Sequence, residues 1–143
     1  MNMLEMISAT DAERLRRKQR EEEMKKVAKL AVDGFVELAA LTPEAGIYWT
    51  GTTTDLVELT HLAWQTGRIS DACGRPMTFK ALVHHIFYIL HAREPRRPSN
   101  IIYNLQRRKC IYTRPLLERY HSLIYEGQLR NPLQTDLKKE PRR

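Results

Sequence analysis

Residues 97–115 read RPSNIIYNLQRRKCIYTRP, and the spacing inside this stretch decides both the fold and the function expected of the chain. Ile101, Ile102 and Leu105 fall at i, i+1 and i+4, the spacing that puts apolar side chains on one side of a helix. Asn100, Tyr103, Asn104 and Arg107 fall at i, i+3, i+4 and i+7 on the opposite side, with Arg108 and Lys109 at the end. Pro98 and Ser99 mark the start, so the stretch predicts a short helix with an aliphatic underside and an amide- and guanidinium-bearing outer face.

Working outward, the linker AREPRRPS before this helix holds two prolines and three arginines and cannot continue a helix. The helix before it is TFKALVHHIFYILH, with Phe79, Leu82, Val83, Ile86, Ile89 and Leu90 mostly buried. Upstream, Thr52 caps a helix that carries Asp55 three residues on. Leu56, Leu59, Leu62 and Ala63 form its inward face and Gly67 its C-terminal stop. Trp49 and Trp64 are expected to pack in the core or at a hinge. Arg68-Ile69-Ser70 allows a very short strand. Downstream, Thr113 is expected to cap a helix from Arg114 to Glu126. Leu116, Leu117, Tyr120, Leu123 and Ile124 are its apolar stripe and Gly127 its end.

The N-terminal third predicts one long helix, capped at Ser8 or Thr10 and stopped by Thr42-Pro43. Its first half, ERLRRKQREEEMKK, is polar nearly all round. The basic run Arg14–Arg20 reads as a solvated face, because the acids that follow cancel it. In its second half Met24, Val27, Leu30, Ala31, Gly34, Phe35, Leu38 and Leu41 make one apolar stripe. Docking on the rest of the chain and homodimer formation through residues 24–41 are equal claimants on that stripe. The division expected is residues 1–46 as a long packing or dimerisation helix, 47–127 as a DNA-binding domain, and 128–143 as a basic flexible tail.

Length and charge narrow the function. The 143 residues suffice for one modest domain. The net charge is +7, and its distribution is uneven. Residues 1–46 hold 8 Lys/Arg against 9 Asp/Glu, residues 47–91 hold 3 against 3, and residues 92–143 hold 13 against 5. Between Arg93 and Arg114 seven basic residues face one acid, Glu94, a balance that suits a polyanion. Apolar runs are too short for a membrane span, and MNMLEMISATDAE lacks the pattern of a secretory signal, so a cytoplasmic protein without membrane contact is expected. Cys73 and Cys110 do not make a disulfide framework and read as free thiols.

Metal and catalytic chemistry find little support. Cys73, His84, His85, His91 and Cys110 include no Cys-x-x-Cys or His-x-x-x-His pair, so no metal site is expected. There is no Gly-x-Ser-x-Gly, no phosphate loop and no Gly-x-Gly-x-x-Gly; the chain reads as no enzyme, with no cofactor and no small-molecule ligand. Nucleic acid remains. Asn100, Tyr103, Asn104 and Arg107 are the expected base-facing residues, since amides match adenine's edge and guanidinium matches guanine's. Arg93, Arg96, Arg97, Arg108, Lys109, Thr113 and Arg114 are the expected phosphate contacts, and double-stranded DNA is the expected partner. The alternative is a protein-interaction module, in which the N-terminal helix is the working surface and an acidic partner meets the basic helix.

Two stretches carry a family resemblance over about residues 47–127. Trp49-Thr-Gly-Thr-Thr-Thr-Asp-Leu-Val-Glu-Leu59 is one; Leu105-Gln-Arg-Arg-Lys109 followed by Thr113-Arg-Pro-Leu-Leu117 is the other. Together they resemble the C-terminal part of the RteC family, regulators of excision of conjugative transposons that carry tetracycline resistance. The resemblance implies an all-α, helix-turn-helix or winged-helix-like DNA-binding domain that activates transcription of excision genes. Arg108, Lys109 and Thr113 are the positions that carry over. The chain departs from the family in having one long helix where members have a larger N-terminal domain. Pro115 and Leu116 also stand where a Lys-like residue and Phe are usual. No wing hairpin is expected, because Cys110-Ile111-Tyr112 is too short for one.

Overall fold

The computed structural model describes residues 3–108 and 115–139. The chain is mostly helical, as the periodicity predicts. It runs α1 (Met3–Ala39), a 3-10 turn (Pro43–Ala45), β1 (Ile47–Trp49), α2 (Thr53–Gln65), α3 (Phe79–Ile89), α4 (Pro98–Arg108), α5 (Pro115–Tyr125), a second 3-10 turn (Pro132–Asp136) and β2 (Leu137–Lys139).

Local chemistry sets the helix ends. At the head of α2, Thr52 Oγ1 accepts the Asp55 N–H at 3.0 Å, and past its end Gly67 takes a left-handed φ of 66°. Thr78 caps α3 in the same manner, accepting from Ala81 N–H at 3.2 Å. Beyond α3 the chain reverses at His91, whose φ of 54° is unusual for a residue with a side chain. Its ring stacks on Tyr48 with centroids 4.5 Å apart, and its Nε2–H donates to the Pro43 carbonyl at 2.8 Å. These two contacts hold the strained residue in place.

One hydrophobic cluster unites the molecule. Five successive residues of α2, Leu56 to Thr60, are buried, so this helix is covered on every side; α1, α3, α4 and α5 all pack on it. The one polar hydroxyl in that run, Thr60, donates to the Leu56 carbonyl at 2.7 Å. Val27, Ala31, Phe35 and Leu38 of α1 join the same cluster as Leu82 and Ile86 of α3 and Leu116 and Tyr120 of α5.

Several expectations are met or corrected by this packing. Of the two claimants on the stripe over residues 24–41, the structure shows docking on the chain's own domain, with Val27, Ala31, Phe35 and Leu38 in the core. The second half of α1 thus packs into the core of 47–127, the packing role expected as one option for residues 1–46. The cap expected at Ser8 or Thr10 is passed over: α1 is already helical from Met3. The tail expected to be flexible from 128 folds over residues 131–139. Asn131 Oδ1 accepts the Leu133 N–H at 3.1 Å, Leu133 is fully buried, and β2 pairs antiparallel with β1 in the register Ile47 to Lys139, Tyr48 to Lys138 and Trp49 to Leu137. This sheet joins distant segments and is not a wing hairpin beside α4; among the described residues it is the one sheet. The short strand expected at Arg68–Ser70 is a single bridge between Ser70 and Pro76.

Candidate nucleic-acid interface

The first residue of α4 is Pro98, whose fixed φ suits a helical start and whose missing N–H would have no partner there. Ser99 thus sits inside the first turn. Pro98 is buried, which pins the beginning of the helix. Ile102 lies 8 % exposed in the core, with Ile101 and Leu105 half-buried and packed against it. Asn100, Tyr103, Asn104 and Arg107 are all exposed, Tyr103 by 60 %. The split between the two sides follows the spacing read from residues 97–115. The Arg107 guanidinium carbon stands 5.8 Å from the Tyr103 ring centroid, so the cation leans back over the tyrosine one turn before it.

Arg93, Arg96 and Arg97 are exposed on the linker into α4. Its single acid, Glu94, is turned to His84, with Oε2 3.0 Å from Nδ1. Among the described residues no ion pair engages Arg93, Arg96, Arg97 or Arg107. Four cations against the single acid Glu94 on an exposed surface make an electropositive patch that reaches about a Debye length, roughly 8 Å at physiological salt. Lys109, Thr113 and Arg114 lie outside the described residues, and so does the side chain of Arg108.

One relation differs from a compact helix-turn-helix. Residues 90–97 separate α3 from α4, and α4 rests chiefly on α2. The outer face of α4 is left open by this packing, since Ile102 and its two neighbours turn toward the core.

Sequence reasoning missed a second polar cluster, which joins α5 to the C-terminal segment. Arg119 clamps Asp136 through two bonds, Nη1 to Oδ1 at 2.8 Å and Nη2 to Oδ2 at 3.0 Å. The Tyr120 hydroxyl donates to Asp136 Oδ2 at 2.7 Å, and Arg119 Nη2 also reaches Asp55 Oδ2 at 3.1 Å. The carboxylate of Asp55, read as part of a cap, is thus turned to Arg119. Burial, and then the bond to Asp136, push the Tyr120 phenol far above its ordinary range. The bond to Asp136 raises the Arg119 guanidinium too, outweighing its partial burial. Asp136 itself is only 4 % exposed and both its oxygens accept hydrogen bonds, so the cluster braces α5 against the C-terminal segment. In sequence, Asp136 stands in a polar, proline-broken stretch, and nothing local announces its partners.

The histidines are used singly. His85 Nε2–H donates to the Ala39 carbonyl at 2.8 Å, His84 meets Glu94, His121 meets Glu23, and His91 meets Pro43. Among the described residues there is no group of three His, Cys, Asp or Glu placed to hold a metal ion, and no helix long and apolar enough to cross a membrane. Compared with protein-family models, with curated proteins and with solved structures, the chain shows no match in any of the three. The chemistry of the α4 surface therefore carries the functional reading.

Proposed function

We propose that the chain is a sequence-specific DNA-binding regulator that lays the outer face of α4 in the major groove. The observation that carries this is the exposed row Asn100, Tyr103, Asn104 and Arg107 on a helix anchored from below by Ile102. An 11-residue helix is about 16 Å long and 10–12 Å across with its side chains, which matches a groove about 12 Å wide. Asn100 and Asn104 present the donor and acceptor pair that adenine's edge requires, and Arg107 presents the fork that guanine's requires. Arg93, Arg96 and Arg97 stand at the start of the helix, where phosphate contacts fix its register. The likeness of Trp49–Leu59 and Leu105–Lys109 to the RteC pattern supports a target among excision or transfer genes of a mobile genetic element.

Titration of labelled duplex at rising salt tests the first half of this proposal. Three phosphate contacts, by Arg93, Arg96 and Arg97, give a slope of roughly −2.7 in log affinity against log salt, so affinity should drop steeply between low and moderate salt. Binding that ignores salt, or no binding to any duplex, defeats the reading. Sequencing of genomic fragments held by the protein then supplies a preferred site. At that site Arg107→Ala is expected to cost about 1–3 kcal/mol and to relax the preference for one base pair. Equal losses on every sequence would move Arg107 from the bases to the phosphates.

A further inference from the structure

Of the four residues on the outer face of α4, Tyr103 is the one left without a base to read. Its single hydroxyl does not match the two-point edge of adenine or guanine. The fold gives its ring another use. Arg107 follows Tyr103 by four residues, so the two side chains are neighbours on the helix surface, and helical side chains lean toward the N-terminus. The guanidinium carbon accordingly stands over the Tyr103 ring, 5.8 Å from its centroid, where the electron-rich face attracts it.

How an arginine is held decides what it has left to offer. Arg20, Arg68 and Arg119 are held by the carboxylates of Glu118, Asp33 and Asp136, and each gives N–H donors to its partner. Arg119 also lies over a ring, 5.2 Å from the centroid of Tyr120, yet its donors go to Asp136 and Asp55. Arg107 makes the ring contact without a carboxylate, since among the described residues no ion pair engages it. A ring face attracts the cation and leaves the fork of N–H donors open. An arginine already resting on a ring also has less rotamer freedom to give up on binding.

We infer that Tyr103 is a positioning residue for Arg107, so that discrimination at the guanine pair depends on an aromatic ring at position 103. The inference rests on the DNA reading given above for what the fork recognises, while the hold of the ring on Arg107 belongs to the free chain. Tyr103 is 60 % exposed and α4 is anchored by Ile102, so an aliphatic side chain at 103 frees the guanidinium without touching the core.

The first arm of the test uses the full chain without DNA. The δ-methylene and Nε protons of Arg107 should show a ring-current shift in NMR spectra that Tyr103→Phe keeps and Tyr103→Leu removes. Identical Arg107 signals in all three proteins overturn the inference. The second arm uses anisotropy titrations of the duplex enriched from genomic fragments, and of the same duplex with its guanine pair exchanged for A·T. The ratio of the two affinities measures what Arg107 reads. Tyr103→Phe should keep that ratio, and Tyr103→Leu should lower it by about two- to fivefold, the worth of such a contact at an exposed site. In an Arg107→Ala background, Tyr103→Leu should change the ratio no further. Equal weakening on both duplexes overturns the inference, and so does a Phe variant that loses as much as the Leu variant, because Tyr103 would then meet DNA directly. If the unmodified chain binds no duplex, or Arg107→Ala leaves the ratio untouched, the DNA reading of Arg107 fails and takes the specificity claim with it, whatever the spectra show.

Discussion

A chain cut after Arg130 is expected to lose its cooperative unfolding transition near room temperature. Residues 131–139 contribute three things to the core that nothing else supplies. Leu133 is fully buried against α1, at the one place where that helix has no side chain: a β-carbon on Gly34 would stand 2.6 Å from Leu133 Cδ1. Removing a buried leucine costs about 2–5 kcal/mol. Asp136 adds the brace to Arg119 and Tyr120, and β2 covers β1. Together these losses reach on the order of 5 kcal/mol or more, against a total of about 5–15 kcal/mol for a domain. Circular dichroism and a urea titration of the shortened chain check this. A midpoint equal to that of the intact protein would mean that the segment is merely laid on the surface.

Asp136→Ala is the second large effect. Breaking a buried charge pair costs about 3–5 kcal/mol, and the low end applies because the Arg119 side chain is 41 % exposed and can turn to water. Tyr120 has no such escape, being fully buried, so its hydroxyl is left without an acceptor. About 3 kcal/mol is the expected loss, seen as a lower urea midpoint with an unchanged slope. A loss within a few tenths of a kcal/mol would show that the three bonds to Asp136 are replaced by water at no cost. The same brace sets an alkaline limit. The Tyr120 phenol ionises at higher pH in the folded chain than in the unfolded one, chiefly because it is buried. Its stabilising contribution is therefore complete below about pH 10, the unfolded value, and drains away as pH climbs toward the folded value. Tyr120→Phe should flatten that part of the pH–stability curve, and an unaltered alkaline fall would assign it to other groups.

The outer face of α4 was legible from sequence because a helix writes its two sides into local spacing. Ile101, Ile102 and Leu105 alternate with Asn100, Tyr103, Asn104 and Arg107, and no distant partner is needed to sort them. The caps at Thr52 and Thr78 and the stop at Gly67 are local in the same sense. What escaped depended on partners far along the chain. The stripe from Met24 to Leu41 suits a second copy as well as its own domain, and its docking on α2 and α5 shows only once those helices are placed against it. Leu133 and Leu137 are two apolar residues in a polar stretch, too few to raise its average, yet one fills the gap at Gly34 and the other closes the sheet. Asp136 looks like any solvated carboxylate until Arg119 and Tyr120 are placed around it. The extension of α1 to Met3 was hidden by Ser8 and Thr10, which are good caps but here lie within the helix.

The pairing of Ile47–Trp49 with Leu137–Lys139 also orders events during translation. A ribosome makes β1 first and β2 only after α2, α3, α4 and α5, so the earlier helices must wait with Gly34 unfilled and Tyr120 without its acceptor. Contacts this distant in sequence form late, because the intervening loop must be closed before they yield anything. Until then the half-made protein shows chaperones and proteases an apolar seam that the finished one conceals.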